Sequence, residues 1–208
     1  MHRRSDGPIS TWAHYALVRN GSGFNNLKIY RDGVQTGQGT YSGDIGSSSS
    51  TNYIGGFYTH SNLDLKGFIS NFRIVKGTAL YTANFKPPMR ELENIPGTVL
   101  LCCQSKTDAT LEKTGKTITI TGGLSASEFT PGLLTPIPKA GGSSAIKGSV
   151  EFSGGTTSNP GGYLSVPNTT DLRLGSSDFT VEAYVNFTNG AVSNGVIVAL
   201  WDNTDNRR

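Results

Sequence analysis

Residues Phe179 to Phe187 alternate more cleanly than any other stretch of this chain. Phe179, Val181, Ala183, Val185 and Phe187 fall on one face of an extended strand, opposite Thr180, Glu182, Tyr184 and Asn186. A second alternating run lies near the other end, with Phe68, Phe72 and Ile74 on one face and Ile69, Asn71, Arg73 and Val75 on the other. Each large apolar side chain left in water forfeits roughly 1.5 to 3 kcal/mol, so neither face is stable uncovered. A sheet buries one face against another, and the two stretches are expected to close on each other as parts of one antiparallel β-sandwich.

The rest of the chain fits an all-β plan. Trp12 to Arg19 reads as a strand ended by the turn Asn20 to Gly23, and Leu27 to Tyr30 leads into Asp32-Gly33, a hairpin signal because both turn positions need positive φ. Short strands are expected at Thr98 to Cys103, Ile118 to Ile120, Val150 to Phe152, Tyr163 to Val166 and Val196 to Trp201. Lys76 to Tyr81 reads as a turn followed by a single helical turn, stopped by Pro87-Pro88. Three prolines and a Gly-Gly-Ser-Ser tail mark Pro131 to Ser144 as a linker. The division expected is therefore 1–134, a linker at 135–147, and 148–208.

Composition excludes several classes. Charged residues make up only 16% of the 208, and Ser, Thr, Asn and Gly together supply roughly two fifths, a balance suited to a turn-rich extracellular or virion surface protein. The net charge of +3 is spread without a basic stripe, so nucleic-acid binding is not indicated. No run approaches the ~20 apolar residues of a membrane span, and Met1 to Pro8 leads into no apolar signal segment, so a role outside the cell implies release by lysis or particle assembly, or a true start elsewhere. Adjacent Cys102 and Cys103 allow no disulfide framework; on a strand, one thiol would be buried and the other exposed.

Catalytic chemistry finds little support. Two carboxylates facing one cleft would be needed to hydrolyse a sugar bond, yet Glu91 and Glu93 fall in a loop between prolines. Glu151 and Glu182 lie on different strands, on the faces opposite their apolar residues, where a solvated surface is expected. His14 alternates with Trp12 and Ala16 and reads as a strand residue anchored by a hydrogen bond. The loop Tyr58 to Asp64 gathers an aromatic ring, an imidazole, an amide and a carboxylate, the chemistry that stacks on a sugar face and bonds its hydroxyls. Tyr58, His60, Asn62 and Asp64 are the candidate glycan contacts.

Several motifs resemble one family. Val150 to Val166, Asp178 to Val185, Trp12 to Arg19, Leu27 to Gly33 and, most closely, Gly67 to Tyr81 are similar to the laminin-G-like, or concanavalin A-like lectin/glucanase, jelly roll, in the version repeated in structural and tail-fibre proteins of tailed phages. Against that family the order is reversed, closing strands first and opening strands last, which implies a permuted or split sandwich or a piece of a tandem array. The resemblance implies a non-catalytic module of a virion tail fibre or particle surface, contacting a cell-surface polysaccharide and neighbouring repeats or subunits. A glucanase-like hydrolase or its binding module, and a spacer without ligand, are the alternatives. No cofactor is called for, although relatives of this fold often hold one Ca²⁺ at the rim, for which Asp202 and Asp205, beside Asn203 and Asn206, supply oxygen ligands.

The loop reading has a direct test. Tyr58→Ala should weaken binding on a glycan array and leave the Tm within about a degree of the parent, because a rim aromatic adds little to a core. Equal binding by variant and parent would remove the loop as a contact.

Overall fold

The computed structural model describes residues 11–46, 51–57, 64–132, 145–155, 161–188 and 195–200. In chain order the strands are β1 (Trp12–Arg19), β2 (Leu27–Arg31), β3 (Val34–Gly39), β4 (Asn52–Ile54), β5 (Lys66–Lys76) and β6 (Thr98–Cys102). They continue with β7 (Thr119–Thr121), β8 (Ser125–Ser127), β9 (Ser149–Ser153), β10 (Tyr163–Val166), β11 (Phe179–Phe187) and β12 (Val198–Ala199). The larger sheet has the order β3-β2-β1-β11-β5-β9-β8 with β6 also on β5, and the smaller one the order β12-β4-β10-β7. All the pairings are antiparallel. The protein is an all-β sandwich.

Strand β11 sits between β1 and β5, so the late segment of the chain is built into the middle of a sheet begun by the early one. Its expected apolar face is the one that enters the core: Phe179, Val181, Ala183 and Val185 pack with Ile54, Leu164 and Val166 of the smaller sheet. The opposite face of β11 is buried as well, under residues 77–93, which run across the outside of the larger sheet. No helical turn forms there. Gly77 N–H donates to Asp178 O and Leu80 N–H to Thr180 Oγ1, so β11 and the residue before it take the groups that a helix would have used.

The alternation expected along β5 is interrupted. Between the pairs Ser70–Tyr184 and Arg73–Glu182, β5 has two residues where β11 has one, a bulge centred on Asn71 with φ of 54°. One inserted residue exchanges the faces. Ile69, Phe72 and Ile74 therefore point into the core, whereas Phe68, expected beside Phe72, lies on the outer face. Asn71 holds the irregularity: its N–H donates to Cys103 O, its Oδ1 accepts from Leu92 N and Gln104 Nε2, and its Nδ2 donates to Ser70 Oγ. Here the edge of β5 changes partner, from β9 along 66–69 to β6 along 72–75.

The Asp32-Gly33 hairpin forms as expected, with φ of 50° and 78° at its two turn residues. Gly33 has a second constraint, since a Cβ there would fall 1.8 Å from Phe85 O, and Phe85 N–H donates to Gly33 O. Strand β8 was not expected, its Ser-Ala-Ser sequence carrying little pattern. Of the expected strand at Val196 to Trp201 only Val198–Ala199 pairs, and Trp201 lies outside the described residues. So does most of the Pro131 to Ser144 linker. Among the described residues, no helix is long and apolar enough to cross a membrane.

Both thiols are buried, contrary to the expectation of one inside and one out. Strand β6 ends at Cys102, and Cys103 turns with φ of 59°, so the strand rule that sends neighbours to opposite faces does not reach it. The Sγ atoms lie 3.7 Å apart, and the hydrogen bond to Cys103, with burial, pushes the Cys102 thiol pKa up. Neither cysteine should react with an aromatic disulfide reagent in the native protein, while both react at once in denaturant. A thiol titrating rapidly in native buffer would contradict this packing.

Candidate functional site

The larger sheet exposes its outer face to two different treatments. At one end it is sealed by residues 77–93, and at the other it carries aromatic side chains. Asp64, the described residue of the expected loop site, lies elsewhere, against Phe57 and Gly161.

At the sealed end Glu182 occupies the centre. It projects from β11 between Ala16 of β1 and Arg73 of β5, its register partners, and it is only 1% exposed. The expectation of a solvated carboxylate is thus corrected, and the cause is the covering segment, which strand alternation could not reveal. Oε1 accepts from Arg73 Nε at 2.9 Å and Nη2 at 2.6 Å. Oε2 accepts from Tyr81 Oη at 2.8 Å and pairs with His14 Nε2 at 3.1 Å. A carboxylate offers about four acceptor sites, so this set leaves none for another ligand.

Burial alone would raise the Glu182 pKa, but the His14 hydrogen bond and the charges of Arg73 and His14 hold it below the ordinary 4.5. The group is ionised and can only accept, which makes His14 Nε2 a donor. Burial and the Glu182 charge push Tyr81 and Tyr184 well above the ordinary phenol value, so both keep their protons and donate, Tyr184 to Pro88 O. Arg73 Nη1 also reaches Glu93 O at 2.9 Å. His14 is anchored as expected, and Tyr81 and Phe85 stack in parallel beside it at 3.6 Å.

Glu151 is exposed on β9, two strands away from β11. Its register partner in β5 is Phe68, whose partner in β11 is Asn186, four residues beyond Glu182. On ordinary strand spacings the two carboxylates are roughly 15 Å apart. Retaining and inverting glycosidases need about 5 to 9.5 Å, so Glu151 and Glu182 do not form such a pair. Glu91 lies in a loop as expected and forms an ion pair with Lys113.

Of the expected glycan contacts, Tyr58, His60 and Asn62 lie outside the described residues. Asp64 is described, and it faces inward, 3% exposed. Its Oδ2 accepts from Gly161 N at 2.7 Å and its Oδ1 from Phe57 N at 3.4 Å. Burial raises its pKa and these backbone bonds oppose the rise. Asp64 therefore ties the backbone at Phe57 to that at Gly161 instead of presenting a carboxylate to solvent. Asp202 and Asp205, the expected Ca²⁺ ligands, also lie outside the described residues, among which no group of three His, Cys, Asp or Glu side chains comes together to hold a metal.

At the uncovered end, residues missed in the sequence come together. Trp12 of β1 and Phe68 of β5 lie with ring centroids 6.3 Å apart, and Phe129, just past β8, lies 5.4 Å from the first and 4.9 Å from the second. Phe129 is half exposed. The signal for Phe68 was present but assigned to the wrong face, because the Asn71 bulge that reverses it has no apolar signature.

Residues 3–81 match the family model of the concanavalin A-like lectin/glucanases superfamily. The matched span takes in β1 to β5 and ends at Tyr81, the donor to Glu182. No curated protein and no solved structure matches the chain. A carbohydrate-binding or structural module is the broad class that this superfamily match and the sandwich support together.

The Glu182 network should hold the sheet. Glu182→Gln leaves the Arg73 charge buried without its partner and should cost about 3 to 5 kcal/mol in urea unfolding. For a carboxylate with a depressed folded pKa, the stabilisation is complete above the unfolded value near 4.5 and lost as pH falls through the lower folded value. The parent should therefore lose stability below about pH 4.5 more steeply than the variant. Parallel acid limbs would show that Glu182 is not part of that loss.

Proposed function

We propose that this chain is a non-catalytic structural and glycan-recognition module. The reading is carried by the state of Glu182: the carboxylate most deeply set in the sheet has every acceptor site occupied by Arg73, His14 and Tyr81. A general acid must hold a proton near neutral pH and a nucleophile must keep a free lone pair. Glu182 has neither. Within a superfamily that spans lectins and glucanases, this favours recognition over hydrolysis.

The module belongs to a virion tail fibre or another particle surface, where it meets a bacterial surface polysaccharide beside neighbouring repeats or subunits. Support for that setting comes from the resemblance of Gly67 to Tyr81 to the repeated phage version of the fold, and from a composition poor in charge and rich in turn residues. Weak single sites gain strength there from copy number. A spacer without ligand is the second reading, favoured by the closure of Asp64 onto Gly161.

Hydrolysis can be tested directly. Incubation with β-glucans, alginate and bacterial surface polysaccharides should release no reducing ends above a buffer control. Turnover that disappears in Glu151→Gln would establish an enzyme, Glu151 being the carboxylate of the outer face left exposed.

A further inference from the structure

Asn186 stands in the middle of a row that crosses the larger sheet on its outer face. Register pairing places Trp12, Asn186, Phe68, Glu151 and Ser125 side by side on β1, β11, β5, β9 and β8. Trp12 and Phe68 flank β11, so their backbones are roughly 9 to 10 Å apart. Their rings are 6.3 Å apart and hence lean towards one another over Asn186. Phe129 touches both. Beneath this aromatic cover the Asn186 amide is 1% exposed, and neither its Nδ2 nor its Oδ1 has a hydrogen-bond partner. Trp12 Nε1 is likewise buried and unpaired.

An unpaired buried polar group costs about 1 to 3 kcal/mol, and Asn186 carries two such atoms, more than any other side chain among the described residues. An apolar residue would fill the same place on β11 without that cost. The geometry points to a binding site for a neutral pyranoside sugar, in which the Asn186 amide bonds two neighbouring hydroxyls and the rings of Trp12, Phe68 and Phe129 meet the apolar face of the sugar. This rests on the glycan-recognition reading above and gives it a site distinct from the Tyr58 to Asp64 loop.

The chemistry of the row selects the ligand class. An amide offers one donor group and one acceptor, matched by adjacent hydroxyls that each donate and accept. Trp12 Nε1 adds a donor. Glu151, exposed at the far side of Phe68, accepts from a further hydroxyl and repels an acidic sugar. Access comes through Phe129. Its backbone is pinned, with N–H donating to Ser127 Oγ at 3.1 Å and O accepting from Ser149 Oγ at 2.7 Å, but the residue is 47% exposed and its ring turns about its own torsions. Swinging the ring outward opens the amide while the strands stay in place.

Asn186→Leu separates recognition from structure, because it removes the unpaired amide and keeps the bulk. The parent and this variant would be compared by thermal unfolding and on an array of glucose, galactose and mannose oligosaccharides with their uronic acid counterparts. We expect the parent to bind neutral members, and the variant to bind them at least tenfold more weakly while its Tm is unchanged or higher. Trp12→Phe, which retains a ring and loses the N–H, should bind several-fold more weakly, and it decides the matter if Asn186→Leu fails to fold. Equal binding by parent and variants would overturn this site and leave the broader reading standing. Binding confined to uronic acids would overturn the ligand class, and a parent that binds no sugar at all would overturn glycan recognition itself.

Discussion

A carboxylate without access to water has to be neutralised where it stands, and the outer side of this protein is arranged around that requirement at Glu182. Arg73 comes from β5, His14 from β1 and Tyr81 from the segment beyond β5, so one side chain of β11 joins the three central strands to the piece of chain that covers them. Removing water is what makes the ion pair strong, and the covering segment removes it. The stacked Tyr81 and Phe85 rings close over His14, and Tyr30 and Val18 pack beneath them as a second, smaller core. Residues 77–93 run without regular secondary structure for the same reason. Their partners are side chains and carbonyls of the sheet, at Thr180, Asp178, Glu182 and Tyr184, and not their own backbone.

The central place of β11 has a consequence for folding. Its pairs with β1 join residues 160 or more positions apart, and its pairs with β5 join residues about 110 apart. Closing such loops costs entropy before any contact is gained, so local hairpins such as β2–β3 form early and the larger sheet closes only when the late segment arrives. Until then the inner faces of β1 and β5 stay open. Even in the folded protein the smaller sheet covers the larger one unevenly. A cleft of about 330 Å³ lies over Tyr15, Leu17 and Ile29, next to the short strand β12. Ile29 remains 48% exposed there.

Periodicity carried most of the architecture, because a strand that buries one face must alternate. The inward face of β11, the Asp32-Gly33 hairpin and the short apolar strands were all legible on that ground. It failed wherever a backbone irregularity or a distant cover intervened. Asn71 is as polar as any surface residue, and nothing beside it announces that it adopts positive φ and exchanges the faces of Phe68 and Ile69. Cys103 misled in the same way. For Glu182 the strand face was read correctly and its environment was not, since a face called outer in a two-sheet picture becomes inner once a third layer lies on it. The Asp64 carboxylate was read as a ligand contact from its neighbours in sequence, whereas its partner Gly161 lies far along the chain.

The same face of β11 carries two buried polar side chains four residues apart, and they differ in a way that separates stability from recognition. Glu182 has three partners, making four hydrogen bonds, from three different parts of the fold, which is how a buried charge is kept when the fold depends on it. Asn186 has none, although the strands around it are regular and tightly paired. General looseness cannot account for the difference, because both residues sit on one strand between the same two neighbours. What differs is the cover. Over Glu182 it is a segment bound to the sheet by directed hydrogen bonds, whereas over Asn186 it is three aromatic rings, none of which hydrogen-bonds the amide, and, at Phe129, a residue still half in water. A cover of the first kind is fixed by the groups it satisfies. One of the second kind leaves polar groups unsatisfied, and any ligand that supplies hydroxyls beneath an apolar face gains the free energy that the closed form forgoes.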